Sequence, residues 1–356
     1  MKQYIISKSC NIREAIKKID VNGYGLIFIV DHSDKVIGVL TDGDFRRAIL
    51  KGISLSEPCI NIANQDFKFI ESENYSEREV INSFLQYKID HLPLLENKVL
   101  KKLFRRKEYN LTGKIVLPIP LNSVPVVIMA GGKGTRMKPF TNIFPKPLIP
   151  IGNKSMLEVI MDEYNMYFKS MFYISVNFKA NLIKAYLEEF NQIYDFSYIL
   201  ENIPLGTGGA LKYLEGKISS PFFVSNCDIL IKANYFKIYN KHIEDNNDIT
   251  IVASMIHYKV PYGVCEIENG GSLVQLTEKP EYDFLVNAGM YVINPEMIKY
   301  VPEDTFYNLT DLIDKVKNNG GKVGVYPVSE NSYYDSGQWK EYASMLEAIG
   351  KTNVGN

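Results

Sequence analysis

The chain has 356 residues, of which 46% are hydrophobic and 23% charged, and its 40 Lys and Arg nearly balance 41 Asp and Glu. A chain of this length typically forms two or three domains of about 150 residues each. The balanced charge excludes a global field that would recruit nucleic acid or an anionic membrane, so any polyanion site must be local.

The chain also lacks the usual marks of membrane, zinc or disulfide proteins. Its N-terminus has no apolar signal segment, and no apolar run approaches about 18 residues, so we expect no membrane partner. The four cysteines are scattered, with no C-x-x-C pair, and there are only four histidines. This pattern predicts neither a zinc site nor a disulfide framework and is typical of a cytoplasmic protein.

Residues 1–115 contain an approximate duplication, with repeats at about 1–60 and 61–115. Each repeat shows an amphipathic helix, two strands and a second helix. The predicted elements are a helix around 12–19, strands 26–30 and 36–40 and a helix 45–50, then a helix 77–87, strands 91–95 and 99–104, and a helix from Lys107. Two such units can bury their apolar faces against each other, as repeats must.

The segment GVLTDGDF at 38–45 resembles the end of a CBS motif, a regulatory module that usually occurs as a pair. The resemblance implies that Thr41 and Asp44 bind the phosphate or ribose side of an adenine nucleotide. The alternative is that Thr41 only caps a helix, with Asp44 at its third position. The second repeat has KLFRRKE there, so at most one pocket is intact, and a structural or dimerising role stays open. We expect a homo-oligomer.

A stretch with three prolines, residues 111–125, is predicted to be an extended connector to a second domain at 124–350. There, strands and helices alternate, which predicts parallel strands with ligands beyond their carboxyl ends. The fold class is therefore α/β, with a Rossmann-like mixed, mainly parallel sheet after the small α/β pair. The predicted elements are strand 126–130, a helix from Ser155, strand 171–177, helix 181–190, strand 196–200, helix 209–214, strands 222–225, 249–256, 264–267, 273–276 and 289–293, and helix 337–349.

The apolar run at 126–130 ends in GGKGTR, and two prolines bracket Lys146 further on. A buried strand, a glycine turn and fixed cations suit a polyphosphate. No Gly-Lys-Ser/Thr closes the loop as in a Walker A motif, and Met137 occupies the third glycine position of a dinucleotide fingerprint. The pattern thus favours phosphate handling and disfavours a kinase or a dehydrogenase.

GGKGTRMKPFT followed by PKPLIPIG resembles the signature of sugar-1-phosphate nucleotidyltransferases, which join a nucleoside triphosphate to a sugar phosphate and release pyrophosphate. Further motifs follow in the family's order: ENIPLGTGGA (201–210), SNCD (225–228), PYGV (261–264), EKP (278–280), NAGMY (287–291) and YDSGQW (334–339). Each alone has an ordinary structural explanation, such as a turn, a helix cap or a surface charge pair. Their order makes a shared non-functional origin implausible.

The resemblance implies a role for each motif. Arg136 would neutralise the leaving phosphates, Lys146 would hold the α-phosphate, and Lys279 the attacking phosphate. Asp228 and Asp335 would hold one or two Mg²⁺ ions. The nucleotide site would comprise Met129, Gly131, Gly132, Lys133, Gly134, Thr135, Glu201, Gly206 and Thr207, and the sugar site Tyr262, Gly263, Glu278 and Asn287. Such chemistry is mainly positioning and charge neutralisation, with the acceptor phosphate as nucleophile.

The substrates follow less directly. The catalytic half is similar to the CBS-bearing branch of the family found in surface-glycan and nonulosonic (legionaminic) acid pathways, which implies GTP and a glucosamine- or mannose-type 1-phosphate. Thymidylyl, uridylyl and cytidylyl transfer remain open, as does an inactive nucleotide-sensing protein. Retention of Arg136, Lys146, Asp228, Lys279 and Asp335 favours an active enzyme.

Overall fold

A computed structural model of the protein describes residues 1–71, 75–87, 89–109, 123–337, 339, 341–343 and 345–346. The chain forms two compact units, residues 1–120 and 121–356. Most of the predicted connector, residues 111–122, lies outside the described residues. Among the described residues, no helix is both long and apolar enough to span a membrane.

The N-terminal unit contains the predicted helix–strand–strand order in both of its halves. Its elements are β1 (Ile5–Ser7), α1 (Ile12–Asn22), β2 (Leu26–Val30), β3 (Val36–Thr41), α2 (Asp42–Leu50), α3 (Glu77–Tyr87), β4 (His91–Glu96) and β5 (Val99–Arg105). Strands β1–β3 form one sheet and β4–β5 another. Buried residues of β2 and β3 share one apolar cluster with Leu95, Leu100 and Leu103 of the second half. The two halves therefore bury each other's apolar faces.

Two helix ends in this unit differ from the prediction. Helix α2 begins at Asp42 rather than at Phe45, because Thr41 caps it and the charged residues between them belong to its first turn. After β5, a short 3₁₀ helix at Arg106–Tyr109 replaces the start of the helix predicted from Lys107. The rest of that predicted helix lies outside the described residues.

The C-terminal unit has more helices than the sequence patterns predict. Its elements are β6 (Val124–Met129), β7 (Pro150–Ile151), β8 (Lys154–Ser155), α4 (Met156–Asn165), β9 (Ser170–Val176), α5 (Ala180–Glu188), β10 (Asp195–Leu200), β11 (Phe222–Asn226), β12 (Ile229–Ile231), α6 (Tyr235–Glu244), β13 (Ile249–Lys259), β14 (Val264–Ile267), β15 (Leu273–Thr277), β16 (Glu281–Ile293), α7 (Leu309–Asn318), β17 (Val323–Val328) and β18 (Tyr333–Asp335). Helix α4 starts with the predicted capping box of Ser155 and Glu158. Helices α6 and α7 were not predicted.

Residues 209–214 form a 3₁₀ helix instead of the predicted α-helix. The backbone N–H groups of Gly208 and Gly209 donate to the carbonyl oxygen of Tyr307. These amides are therefore used for tertiary contacts at the start of the helix. The predicted terminal helix is present at the described positions 339, 341–343 and 345–346.

The central sheet has seven strands in the order β10-β9-β6-β11-β16-β13-β17. Strands β10, β9, β6 and β11 pair in parallel, and β16 runs antiparallel to both β11 and β13. Two apolar clusters cover the two faces, and β6 sends Val126 and Ile128 to one and Val127 and Met129 to the other. A strand buried on both faces explains the unbroken apolar run in the sequence.

The order of connections places a switch point beside β6. From β6 the chain proceeds to β9 and β10 on one side, then crosses to β11 on the other side. In open α/β sheets, ligands bind at the carboxyl ends of strands where the connections reverse direction. The glycine loop after β6 and Asp228 after β11 both lie at this point.

A two-stranded extension projects from the sheet and is called the arm here (residues 255–285). The end of β13 pairs with the start of β16, from Met255 opposite Leu285 to Lys259 opposite Glu281. The β14–β15 hairpin joins the two strands. The predicted strand 289–293 is therefore only the sheet-embedded end of β16, which starts at Glu281 because the arm supplies a partner strand.

Candidate active site

Two carboxylates from distant parts of the chain meet at the switch point. Asp228 follows β11, and β12 begins at the next residue. Strand β12 pairs with β18 so that Ile229 lies opposite Asp335. The backbone N–H of Ser336 donates to the carbonyl oxygen of Asp228 at 2.8 Å. This pairing brings together the two predicted metal ligands.

The predicted α-phosphate ligand, Lys146, joins this pair of carboxylates. Its ammonium forms an ion pair with Asp228, and the two side chains are only 8% and 14% exposed. A Cβ atom added at Gly337 would lie 3.2 Å from Lys146 Nζ and 3.4 Å from Asp228 Oδ2. Any side chain at position 337 would therefore fill the space between these charges. We call Lys146, Asp228 and Asp335 the charge cluster.

Burial raises the pKa of Asp335 above its ordinary value, and the neighbouring Asp228 carboxylate raises it further. The Gly337 backbone N–H, which donates to Asp335 Oδ1 at 2.5 Å, lowers it, as do Lys146 and Arg136. The cluster thus holds more negative charge than its own cations neutralise. An additional cation at this point would relieve that repulsion.

Cys227 lies beside Asp228, but its chemistry differs from that of a nucleophile. Burial raises the pKa of its thiol to about 12, with a further contribution from Asp228. At neutral pH the thiol is therefore protonated, whereas thiol nucleophiles react as thiolates. The residue acts as a small buried apolar group in the core.

A cleft opens beside the charge cluster. Its lining combines four predicted site residues, Arg136, Asp228, Asn287 and Asp335, with six residues that were given no predicted role: Asn226, Ile229, Ala288, Gly289, Tyr291 and Tyr333. Asn226 could have been found, because it ends the same strand that positions Asp228. Tyr333 precedes the YDSG motif but depends on the β12–β18 pairing for its place.

A β-bulge shapes the acceptor end of this cleft. The register between β13 and β16 shifts at Val252/Ala253, opposite Asn287 to Met290. The Asn287 side-chain amide donates to the Tyr291 hydroxyl at 2.8 Å, and its oxygen accepts from the Gly289 N–H at 3.0 Å. Gly289 has φ +72, and an added Cβ would lie 2.6 Å from the Asn226 amide nitrogen. Bulges commonly re-aim side chains beside active sites.

The glycine loop presents its cations and most of its backbone to solvent. Gly132, Lys133, Thr135 and Arg136 are exposed, whereas the side chain of Met129 is buried in the core. Any contact of Met129 with a nucleotide would therefore involve its backbone. The loop is anchored to a later part of the chain, because the Thr141 hydroxyl donates to the Gly134 carbonyl oxygen at 2.9 Å. Gly131 and Gly134 are partly buried in this loop.

The loop that carries the predicted nucleotide-site residues Glu201, Gly206 and Thr207 is stabilised by its own polar side chains. The Glu201 carboxylate accepts from the Ser175 hydroxyl and from the Leu205 N–H, the latter at 3.0 Å. The Thr207 hydroxyl accepts from the Leu309 N–H at 3.1 Å. Glu201 and Thr207 therefore hold the loop in place, and Gly206 packs against the backbone of Tyr307. A contact of the Glu201 carboxylate with a nucleotide would have to replace these bonds.

The remaining predicted acceptor residues lie on the arm. The Lys279 N–H donates to the Tyr262 carbonyl oxygen at 3.2 Å, which places EKP beside PYGV as the motifs suggested. Gly263 packs against Glu278. The side chains of Lys279 and Glu278 are 58% and 70% exposed, with their charged atoms 3.9 Å apart. Within the described residues, none of these four lines the cleft.

The candidate regulatory residues of the N-terminal unit are engaged with each other. The Thr41 hydroxyl and N–H both donate to Asp44 Oδ2, at 2.7 and 2.9 Å. Arg47 pairs with the other carboxylate oxygen. This is the capping arrangement that the sequence left as an alternative.

The fold and the site together define an α/β protein with a polyphosphate-type loop and a charge cluster at the switch point of its sheet. Residues 125–352 match the model of the nucleotidyl transferase family, and residues 2–51 match that of the CBS domain. The chain belongs to the nucleotidyl transferase family and carries an N-terminal CBS domain. The predicted family and fold class are confirmed.

Named relatives and solved structures agree with this assignment. The chain is 31% identical over 248 residues to a mannose-1-phosphate guanyltransferase of Yarrowia lipolytica, covering 64% of this chain and 65% of the relative. It thus spans less than two thirds of that relative's length. The crystal structure of HddC from Yersinia pseudotuberculosis superposes with a TM-score of 0.50 and 27% identity, covering 64% of this chain and 99% of HddC. HddC complexed with GMP-PN gives a TM-score of 0.50 at 25% identity.

Proposed function

We propose that the protein transfers a nucleoside monophosphate from GTP to a mannose- or glucosamine-type sugar 1-phosphate, giving a GDP-sugar and pyrophosphate. The observation that carries this proposal is the charge cluster, which lies beside Arg136 in one cleft at the switch point of the sheet. The choice of guanine is supported by the guanyltransferase relative and by the HddC complex with GMP-PN. The mannose-type acceptor is supported by the same relative.

The charge cluster also fits a divalent metal ion. Asp228 and Asp335 supply two carboxylates in a partly buried place where their mutual repulsion is incompletely neutralised. In the described part of the chain, no three His, Cys, Asp or Glu side chains form a metal-binding group. Mg²⁺ commonly takes one or two carboxylates and completes its shell with phosphate oxygens and water. We propose that these two residues hold Mg²⁺, which would neutralise charge on the phosphates.

The chain's own cations would act on either side of the reacting phosphorus. Arg136, exposed on the glycine loop, would bind the departing pyrophosphate together with Lys133 and the backbone N–H groups of 131–135. Lys146 would stabilise charge on the α-phosphate. In the structure the partner of its ammonium is Asp228. Binding of a nucleotide would exchange that partner for a phosphate oxygen.

No nucleophilic side chain is needed for the transfer. A phosphate oxygen of the acceptor attacks the α-phosphorus, and the bond from that phosphorus to the bridging oxygen of pyrophosphate breaks. The attacking oxygen is already ionised at neutral pH, so no general base is required. The Cys227 thiol, protonated at this pH, takes no part. The protein contributes alignment of the two polyanions and neutralisation of their charge.

The acceptor would lie between the cleft and the arm. Asn287 and Tyr291 offer an amide and a hydroxyl to sugar substituents. Lys279 would bind the acceptor phosphate, with Tyr262, Gly263 and Glu278 contacting the sugar. The side chains of Lys279, Glu278 and Tyr262 are exposed, so an acceptor can reach them from solvent.

The wider setting follows from the resemblance of the chain to the CBS-bearing branch of the family. On this basis we place the product in surface-glycan synthesis, including nonulosonic acids such as legionaminic acid, in the cytoplasm. The N-terminal unit would act as a CBS pair within residues 1–115 and join a homo-oligomer. An adenine nucleotide at Thr41 and Asp44 would require their present hydrogen bonds to be rearranged.

The decisive experiment is a pyrophosphate-release screen. The full chain is mixed with each of ATP, CTP, GTP, UTP and dTTP, with and without Mg²⁺, against a panel of hexose and hexosamine 1-phosphates. We expect release with GTP and a mannose- or glucosamine-type acceptor, dependent on both acceptor and metal. A preference for another base would overturn the guanine assignment alone. No release with any pair would overturn the enzymatic assignment and favour an inactive nucleotide-sensing protein.

A further inference from the structure

Three successive residues after β9 connect the segments that form the nucleotide side of the site. The Asn177 side chain donates to the Glu201 carbonyl oxygen at 2.7 Å. The Phe178 N–H donates to the Gly131 carbonyl oxygen at 3.4 Å. Lys179 then reaches a third segment, residues 138–150, which ends at β7 and carries Lys146. We call residues 177–179 the bridge.

The contacts of Lys179 are made to backbone rather than to another charge. Its ammonium donates to the carbonyl oxygens of Asn142 at 2.5 Å and Ile143 at 2.6 Å. These carbonyls lie at the end of the 3₁₀ helix Phe140–Asn142, where unpaired carbonyl groups favour a nearby cation. Within the described residues, no carboxylate is paired with Lys179.

Lys179 also occupies a backbone conformation that L residues rarely adopt. Its φ is +54 and its ψ is +33, and it precedes α5 without a side-chain cap. Such a conformation is unfavourable for most side chains and persists where surrounding contacts determine it. Asparagine would fit this backbone better, yet only a long cation can reach the two carbonyls.

The turn that Lys179 holds is continuous with the charge cluster. Thr141 within it bonds to the Gly134 carbonyl oxygen. A Cβ atom at Gly134 would lie 3.0 Å from a Thr141 carbon and 3.1 Å from Lys146 Cβ, so the turn and Lys146 pack directly against the glycine loop. Displacement of the turn would therefore move Lys146 and the glycine loop together.

The other side of the same segment is held by aromatic residues. Trp339 Nε1 donates to the Lys138 carbonyl oxygen at 3.3 Å, and its ring packs edge-on against Phe140. The Tyr342 hydroxyl donates to the Pro150 carbonyl oxygen at 2.6 Å. The chain has one tryptophan, so its fluorescence reports on this segment alone.

From these contacts we propose that Lys179 is a positioning residue that holds segment 138–150 and thereby fixes Lys146 and the glycine loop for phosphate transfer. The inference rests on the proposed function. Its chemical role is to donate hydrogen bonds to two backbone carbonyl oxygens of the enzyme rather than to bind substrate. Removing it should lower the rate of the chemical step more than the affinity for substrates.

The test compares Lys179→Met, which removes the ammonium, with Lys179→Asn, which removes it while suiting the left-handed backbone. Lys179→Arg keeps the charge. The matched control is Lys184→Met on α5, the helix that Lys179 precedes; the Lys184 ammonium lies over the Tyr198 ring at 5.4 Å. Each full-length variant is assayed for kcat and for KM of both substrates, and its thermal unfolding is recorded.

We expect Lys179→Met and Lys179→Asn to lower kcat by about 10- to 100-fold, because misplacement of a catalytic group by about 1 Å can cost that much in rate. The KM values of these two variants should change less than about threefold, and Lys179→Arg should retain most of the wild-type rate. Lys184→Met should behave as the wild type. The proposal is overturned if both neutral variants keep kcat within about twofold. It is also overturned if triphosphate affinity collapses while kcat at saturation is unchanged, because Lys179 would then bind substrate.

A substrate-free readout separates this proposal from the proposed function. Acrylamide quenching of Trp339 fluorescence is measured in the ligand-free proteins. Lys179→Asn should increase the quenching and Lys184→Met should not. Lys179 and Trp339 contact different residues of segment 138–150, so a change at Trp339 would report displacement of the whole segment. Unchanged quenching in Lys179→Asn contradicts the proposal even if the wild-type chain releases no pyrophosphate. Inactivity of the wild type with increased quenching in Lys179→Asn would overturn only the proposed function.

Discussion

The two sides of the candidate active site differ in how their charged groups are held. On the nucleotide side, Lys146 and Asp228 are 8% and 14% exposed and pair with each other. On the arm, Lys279 and Glu278 are 58% and 70% exposed, with 3.9 Å between their charged atoms. Solvent-exposed ion pairs such as the one on the arm contribute little to stability, whereas buried charges interact strongly. The charge cluster is thus held by buried contacts, whereas the charged groups of the arm are solvated.

The largest expected effect is on the carboxylates of the charge cluster. Asp228→Asn and Asp335→Asn keep the side-chain shape and remove the charge that would hold Mg²⁺. We expect kcat to fall roughly 100- to 1,000-fold, as for loss of other preorganised electrostatic groups. Asp195→Asn, at the start of β10 and the far end of the sheet, is the control. Turnover near that of the wild type in both variants would disprove the metal assignment.

Lys279→Ala tests the arm. It should raise KM for the sugar phosphate by about 10- to 100-fold, the loss expected for a charged hydrogen bond, because only the acceptor phosphate loses its counter-charge. Triphosphate affinity by calorimetry should not change. Lys259→Ala, whose ammonium pairs with Glu281 on the same arm at 3.0 Å, is the matched control. Loss of triphosphate binding instead would place Lys279 on the nucleotide side.

The metal-free stability of the two carboxylate variants should change in opposite directions. Asp228→Asn leaves the buried Lys146 without its partner, so we expect the free energy of unfolding to fall by about 1–3 kcal/mol. The raised pKa of Asp335 means that its ionised form opposes folding at neutral pH, so Asp335→Asn should stabilise the protein.

Urea unfolding at several pH values measures whether the free energy of unfolding falls in Asp228→Asn and rises in Asp335→Asn. The stabilisation by Asp335→Asn should be full above the raised pKa of Asp335. It should vanish as the pH falls below the ordinary carboxyl pKa, where the group is neutral in both states. A stabilisation that grows on acidification would contradict a pKa of Asp335 raised by burial and by the neighbouring Asp228.

The smallest expected effect concerns the N-terminal unit. If an adenine nucleotide binds at Thr41 and Asp44, titration of AMP, ADP or ATP should change the apparent affinity for substrate at least several-fold, the lower end of typical allosteric coupling. Thr41→Ala should abolish that change. Asn11→Ala removes the equivalent capping box of α1 and serves as control. Absence of nucleotide binding at millimolar concentration would leave a structural or dimerising role.

Local patterns predicted much of the fold, and the reason differs from element to element. The unbroken apolar run of β6 and the capping box of Ser155 are local signals, and both features are present. Helices α6 and α7 were not predicted, although α7 carries local signals: its buried residues Leu309, Leu312, Ile313 and Val316 recur at helical spacing after the capping box of Asn308. The start of β16 depends on the arm strand of β13 as a partner, which no local pattern shows.

The sequence predicts the residues of the site from local motifs, but not the contacts between residues that are distant in the chain. SNCD and YDSG each begin in the last residues of a strand, but the contact between Asp228 and Asp335 depends on the pairing of β12 with β18. Pairing of Lys146 with Asp228 likewise requires the folded sheet. The contacts of Lys179 are to backbone carbonyls, which carry no signal in the sequence.

On the proposed function, the charge cluster and the glycine loop transfer a nucleotide to a sugar phosphate. The most direct measurement follows GTP, mannose 1-phosphate and Mg²⁺ with the full chain by ³¹P NMR. We expect equal amounts of pyrophosphate and a GDP-sugar. Formation of both products should be abolished in Asp228→Asn and retained in Asp195→Asn. Equal product formation by the wild type and Asp228→Asn, or release of GMP without a sugar nucleotide, would contradict it.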